Sequence, residues 1–173
     1  MADTLRLRRP GLDDVDALQE AIDESYDDLH PWMDWCTRDA GITATRAWVA
    51  MQAVHRDEGT AHEFVILDGD GRLLGCCGVN GIDRERRTAN LGYWVRTSAA
   101  GRSVAARAVR HLVDWVRKHT DLERLEIVCA VGNTRSQRVA EKVGARREGI
   151  ETARLRIHGV AHDAVVYVIG LAR

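Results

Sequence analysis

Residues 89–131 present a strand, a loop of small and polar residues, a helix and a second strand in immediate succession. Ala89–Val95 has the alternation of a strand, and Thr97 to Ser103 is short-chained and polar. Val104, Ala108, Leu112, Trp115 and Val116 then fall on one helical stripe, and Leu125–Val131 is an apolar run of strand length. Around this unit lie hairpin signals. His62–Leu67 and Arg72–Val79 flank the turn Asp68-Gly69-Asp70-Gly71, and Ile150–Ile157 and Ala164–Leu171 flank His158-Gly159. A strand–helix–strand unit between antiparallel hairpins requires a mixed sheet with helices on its faces.

The rest of the chain completes the order β-α-α-β-β-β-α-β-α-β-β. Leu5 and Leu7 mark a short opening strand. Leu12, Val15, Leu18 and Ile22 have helical spacing, with Asp13 and Asp14 in the first turn, where the helix dipole favours acids. A second helix is predicted over Thr45 to Asp57 with Trp48 and Met51 on its apolar face. Asn133 or Thr134 is placed to cap a short helix that stops at Gly144. No internal repeat or linker interrupts residues 1–173, which are read as a single domain.

Composition excludes several classes of function. Of the 173 residues, 45% are hydrophobic and 29% charged, which excludes disorder and a collagen-like fibre. A net charge of −1 supplies no general field for nucleic acid or an anionic membrane. The segment MADTLRLRRP lacks an apolar signal core, and no apolar run is long enough to span a bilayer, so a soluble, cytoplasmic protein is expected. Cys36, Cys76, Cys77 and Cys129 form no C-x-x-C pair and are expected as free buried thiols. His158 and His162 have metal spacing only on a helix, whereas they straddle a turn, and no metal is expected.

The loop from Arg96 to Arg102 feeds a helix that starts near Ser103, so backbone N–H groups at that helix start form a potential phosphate or pyrophosphate site. The segment matches neither G-x-x-x-x-G-K-S/T nor G-x-G-x-x-G. On residues alone, an anion site and an ordinary strand-to-helix connection both remain open.

The run GYWV at 92–95, AAGRSVAARAVRHLVDW at 99–115 and LERLEIVCAVGNTRSQRVAEKVGARREG at 122–149 resembles the GNAT superfamily of N-acetyltransferases. More narrowly, with HPWMDW at 30–35, it is similar to the RimJ/RimL-type ribosomal-protein N-terminal acetyltransferases. The resemblance implies a mixed α/β fold: a central, largely antiparallel twisted sheet, splayed at the cofactor site and flanked by helices on both faces. It implies acetyl-CoA as co-substrate, no metal, and direct acetyl transfer to a primary amine. The implied acceptor is a protein or peptide α-amine, with a small amine (an aminoacyl compound, polyamine or antibiotic) or a non-catalytic acyl-CoA-binding role as alternatives. A monomer or homodimer is expected, without nucleic-acid or membrane partners.

Carried over by position, the backbone of Ala100, Gly101, Arg102, Ser103, Val104 and Ala105 would hold the pyrophosphate, and Trp94 and Val95 would pair with the pantetheine arm. The Val95 amide would polarise the thioester carbonyl. Asn133 and Ser136 would face the cofactor from the opposite wall, with Ser136 bonding or protonating the departing thiolate. Trp32 and Trp35 would line the acceptor channel or plug the core. Three positions depart from the family pattern. Ala100 and Ser103 stand where the loop usually has a polar residue and a glycine, and Asn90 stands where relatives often carry a glutamate base. Glu63, Asp34 and Glu148 are left as bases acting through water, each otherwise a surface or turn residue. Cys129, inside an apolar strand with no base beside it in sequence, does not fit a covalent acetyl-enzyme.

Overall fold

The computed structural model describes residues 4–171, so the expected domain of residues 1–173 extends beyond it at both ends. The elements in order are β1 (Arg6–Arg8), α1 (Val15–Glu24), α2 (Tyr26–Leu29), α3 (Gly41–Glu58), β2 (His62–Leu67), β3 (Leu73–Asp83) and β4 (Thr88–Val95). There follow α4 (Val104–His119), β5 (Arg124–Ala130), α5 (Thr134–Lys142), β6 (Arg146–Ile157) and β7 (Val160–Gly170). The seven strands form one sheet in the order β1-β2-β3-β4-β5-β7-β6, antiparallel except for β4 beside β5. This is the mixed α/β architecture expected. The short α2 was not anticipated, and β3 and β6 run longer than the apolar pattern indicated, because backbone pairing continues through polar positions.

Alternation along the strands divides the interior in two. Phe64, Ile66, Cys77, Val79, Leu91, Leu125, Ile127 and Tyr167 point to one face and pack under α4, whose Val104, Ala108, Val109, Leu112 and Val116 are buried there. On the other face Val65, Leu67 and Cys76 meet Val15, Leu18 and Ala21 of α1 and Val49 of α3. Each such fully buried aliphatic side chain contributes about 1.5–3 kcal/mol. All four cysteines are free and buried. No described helix is long and apolar enough to cross a membrane.

One sequence expectation is reversed. Trp48 and Met51, assigned to the inner face of α3, are 37% and 44% exposed, and the buried stripe is Thr45, Val49 and Gln52. The polar pair is satisfied inside: the Thr45 hydroxyl donates to Gln19 Oε1 at 2.7 Å, and Gln52 Nε2 donates to the Trp48 carbonyl at 2.8 Å. Hydrogen bonding offsets the cost of burial and lets the more polar stripe face inward.

Candidate active site

β4 and β5 pair only through Thr88↔Arg124, Ala89↔Leu125 and Asn90↔Glu126. Beyond Asn90 no further residues of the two strands pair, and a cleft opens between their C-terminal ends. The wall on the β4 side continues through Arg96 and a single 3-10 turn at Thr97–Ala99 into α4. Gly101 (φ 78°) and Ser103 (φ 60°) both occupy the left-handed region, so the position where serine replaces the family glycine does require positive φ. This conformation turns the chain into α4, whose first-turn amides have no intrahelical acceptor. Two cations are near. Lys142 Nζ donates to Ser103 Oγ at 2.6 Å, and Arg102 Nη2 lies 3.4 Å from the Ser98 carbonyl. Oriented amides, the helix dipole and these cations together suit a pyrophosphate.

The facing wall is β5, Gly132-Asn133 and α5. Gly132 has no side chain where one would meet Trp32, whose ring carbon lies 3.2 Å from the position of a Cβ. Asn133 caps α5, its Oδ1 accepting from the Ser136 amide at 3.1 Å. The Ser136 hydroxyl lies 3.0 Å from the Tyr93 hydroxyl and 3.1 Å from Cys129 Sγ. Tyr93 donates to the Ser136 carbonyl at 2.8 Å. All three groups are satisfied when the Cys129 thiol donates to Ser136 and Ser136 donates to Tyr93. Burial pushes both the Tyr93 phenol and the Cys129 thiol up from their ordinary values. Both therefore stay protonated at neutral pH, and Cys129 has no base beside it to form a nucleophilic thiolate. Tyr93 is a member the sequence reading missed. Alternation along β4 places it opposite Trp94, on the face toward α5, but the contact itself depends on the tertiary fold.

On the other face of the sheet, a cavity of about 840 Å³ lies under α1, α2 and α3. Asn90 and Trp94 of β4 and Glu63 of β2 line it. Trp35, 47% exposed, forms its rim and meets Trp94 at a tilted 6.0 Å between ring centres. Thus Trp35 borders the cavity, whereas Trp32 packs against Gly132 instead. Of the three carboxylates left as bases, two are committed elsewhere. Asp34 accepts from the His158 amide at 2.7 Å and holds the β6–β7 turn. Glu148 is bound by Arg124 and Arg146, and its hydrogen bonds with Arg124 above all bring its pKa down to about 2. Glu63, grouped with the surface residues on sequence grounds, is half-buried on the cavity floor.

Arg96, only 3% exposed, fixes the end of β4. It pairs with Glu24 and, at 2.6 Å, with Glu20, both of α1, and donates to the Leu73 carbonyl at 3.2 Å. Asp28 of α2 accepts from the Thr97 hydroxyl at 2.7 Å and from Arg135 at 2.8 Å, one group from each wall of the cleft. Nothing in local sequence marked either residue.

Residues 4–146 match the acetyltransferase (GNAT) domain family. YdaF of Bacillus subtilis (strain 168) is 27% identical over 171 residues, 95% of this chain and 88% of its own. The ribosomal-protein-serine acetyltransferase of Escherichia coli (strain K12) is 27% identical over 149 residues, covering 86% and 83%. Among solved structures, the self-immunity acetyltransferase MccE in complex with acetyl-CoA and AMP superposes with a TM-score of 0.90 at 21% identity, covering 98% of this chain and 93% of that one. RimL, a ribosomal alpha-N-protein acetyltransferase in complex with coenzyme A, superposes with a TM-score of 0.89 at 24% identity, covering 96% and 94%. The chain belongs to the GNAT acetyltransferase family and is an acetyl-CoA-dependent N-acetyltransferase.

Proposed function

We propose that this N-acetyltransferase modifies the N-terminal α-amine of a protein or peptide, of the kind presented by a ribosomal protein. The observation that carries the reading is the cavity of about 840 Å³ beside the inner face of β4. It is bordered by Trp94, next to the end of β4 where the cleft opens, and by Trp35 at its rim. An extended chain end entering past Trp35 brings its amine to the strand from one side while acetyl-CoA occupies the cleft. The ribosomal-protein-serine acetyltransferase among the relatives supports the same acceptor class.

In this reading the amides of Gly101 to Ala105 hold the pyrophosphate, the Ala100 amide being taken by the Thr97 carbonyl at 3.0 Å. The main chain of Trp94 and Val95 pairs with the pantetheine arm, adding to the exposed side of β4 as a strand would. The Val95 amide stabilises the oxyanion that forms at the thioester carbonyl. Asn133 shapes the far wall by capping α5, and Ser136, whose hydroxyl accepts from the Cys129 thiol, turns its own proton from Tyr93 to the departing thiolate. Asn90 contributes to the acceptor side.

An α-amine also suits the energetics. With a pKa near ~7.7–8.0 it is roughly one-third neutral at pH 7.5, against about 0.1% for a lysine at ~10.4. The measurement that tests the reading compares two matched peptides, one with a free N-terminus and no lysine, the other blocked and containing lysine. The free N-terminus is expected to react faster, and faster acetylation of the blocked peptide overturns the assignment. A small aminoacyl compound is the second reading, favoured by the aromatic rim. A small-amine panel outrunning the peptide would establish it.

A further inference from the structure

We propose that Glu63 is the catalytic base that takes the proton from the acceptor amine, with Asn80 and Asn90 as its positioning residues. The proposal rests on the amine entering the cavity described above. Glu63, Gly78 and Gly92 lie in one row across β2, β3 and β4. Gly78 is the position that makes the arrangement possible: a Cβ there would lie 2.0 Å from Glu63 Oε2. The carboxylate of β2 therefore lies across the bare backbone of β3 and reaches toward β4. There the missing glutamate of β4 is replaced by a relay. Asn90 Nδ2 donates to Asn80 Oδ1 at 3.1 Å, and Asn80 Nδ2 donates to Glu63 Oε1 at 3.2 Å. One carboxylate oxygen is thus fixed by Asn80, and Oε2 is left for a proton.

The carboxylate is not part of a structural ion pair. Among the described residues Glu63 has no salt bridge, and Arg9 reaches only its backbone carbonyl, at 3.5 Å. A half-buried acid with no ion-pair partner costs stability, and a proton-transfer role accounts for its presence. The titratable or charged groups facing it are Arg9, Cys76 and Cys77, with Asp23, Tyr26 and Arg38 around the cavity. Burial raises its pKa against the opposing pulls of Asn80 and Arg9, which moves a carboxylate toward the pH at which an amine must be deprotonated. Asp23, the other cavity carboxylate, is held by Gln19 at 2.7 Å on the exposed side of α1.

The proton balance is complete. The bound ammonium gives one proton to Glu63 Oε2, directly or through one water, and Glu63 later releases it to solvent. The freed lone pair forms the N–C bond at the thioester carbonyl. As the C–S bond breaks, the sulfur takes a proton through Ser136, and the second proton lost by the amine restores that group. The products are the amide, CoA thiol and one proton in solution.

The test uses Glu63→Gln and Asn80→Ala in the full chain, assayed with whichever amine of the peptide and small-molecule set the wild type turns over fastest. A wrong acceptor class then counts against the proposed function without touching the test of Glu63. Glu63→Gln is expected to lower kcat about 100-fold or more and to abolish the acidic limb of its pH profile. Its acetyl-CoA Kd by calorimetry should stay within twofold. Asn80→Ala removes a donor that favours the ionised carboxylate, so the acidic limb should move to higher pH, a change a merely structural role would not produce. A kcat for Glu63→Gln within threefold of wild type, with the limb unchanged, overturns the proposal. Should that variant not fold, an unmoved limb in Asn80→Ala overturns it equally.

Discussion

Ser103 holds a conformation that normally belongs to glycine, at the point where the chain enters α4. The left-handed region costs a residue with a side chain roughly 1–2 kcal/mol, partly offset here by the hydroxyl's bond to Lys142. Ser103→Gly is therefore expected to match or exceed the wild type by up to about 1 kcal/mol, a Tm rise of ~2–4 °C. Ser103→Val, which adds β-branching at positive φ, is expected to lower Tm and weaken acetyl-CoA binding. Thermal unfolding of the three proteins in the order Gly, Ser, Val checks this. At Ser136 the expectation concerns rate instead of binding. A proton donor to the thiolate acts only as charge develops on sulfur, so Ser136→Ala should lower kcat about 10²-fold or more and change the acetyl-CoA Kd little. Unaltered turnover would leave Ser136 as a residue of the α5 cap and nothing else. Both positions were visible in the sequence, Ser103 as a departure and Ser136 as a match. Their physical circumstances were not, because a backbone dihedral and a contact between residues 43 apart are set by the fold.

Among the elements, the junction of β4 with α1 depends on one guanidinium. Arg96 is buried, and its hydrogen bonds bring Glu24 down to about 2, aided by the Ser98 amide. A carboxylate whose folded pKa lies below its unfolded value of ~4.3 adds stability above that value and loses it as pH falls through about 2. The Tm difference between wild type and Glu24→Gln should therefore be full above pH 5 and vanish near pH 2. Arg96→Met, which strands the Leu73 carbonyl and leaves the partly buried Glu24 without its cation, should cost about 2–3 kcal/mol, read as a Tm drop of ~5–10 °C. Helix α4 was legible in advance because its stripe is continuous and apolar, ending against one face of the sheet. Helix α3 was not. Trp48 borders the cavity and Met51 faces outward, while its inward stripe includes Thr45 and Gln52 beside Val49, so periodicity pointed the wrong way. Glu63 could not be told apart from Asp34 and Glu148 for a related reason: its placement depends on Gly78, a residue on another strand that contributes only the absence of a side chain.

For the molecule as a whole, acetyl-CoA should act as a structural component. A ligand at ~100 times its Kd adds about 2.7 kcal/mol, a Tm increase of ~5–11 °C for a chain of this size. Absence of both calorimetric heat and thermal shift at millimolar acetyl-CoA would contradict cofactor binding by the cleft. The reason lies in the seam between β4 and β5. Three residue pairs join a four-stranded half, β1 to β4, to a three-stranded half, β5 to β7. Beyond those pairs, the amides of β4 that point into the gap have no strand to bond and depend on whatever fills it. In amide hydrogen exchange the ligand-free protein should accordingly show fast deuterium uptake at those amides of Leu91–Val95 that face the gap, while those bonded to β3 and the α4 core remain protected. Addition of CoA should slow that uptake locally, making the seam a reporter of occupancy that requires no acceptor and no turnover.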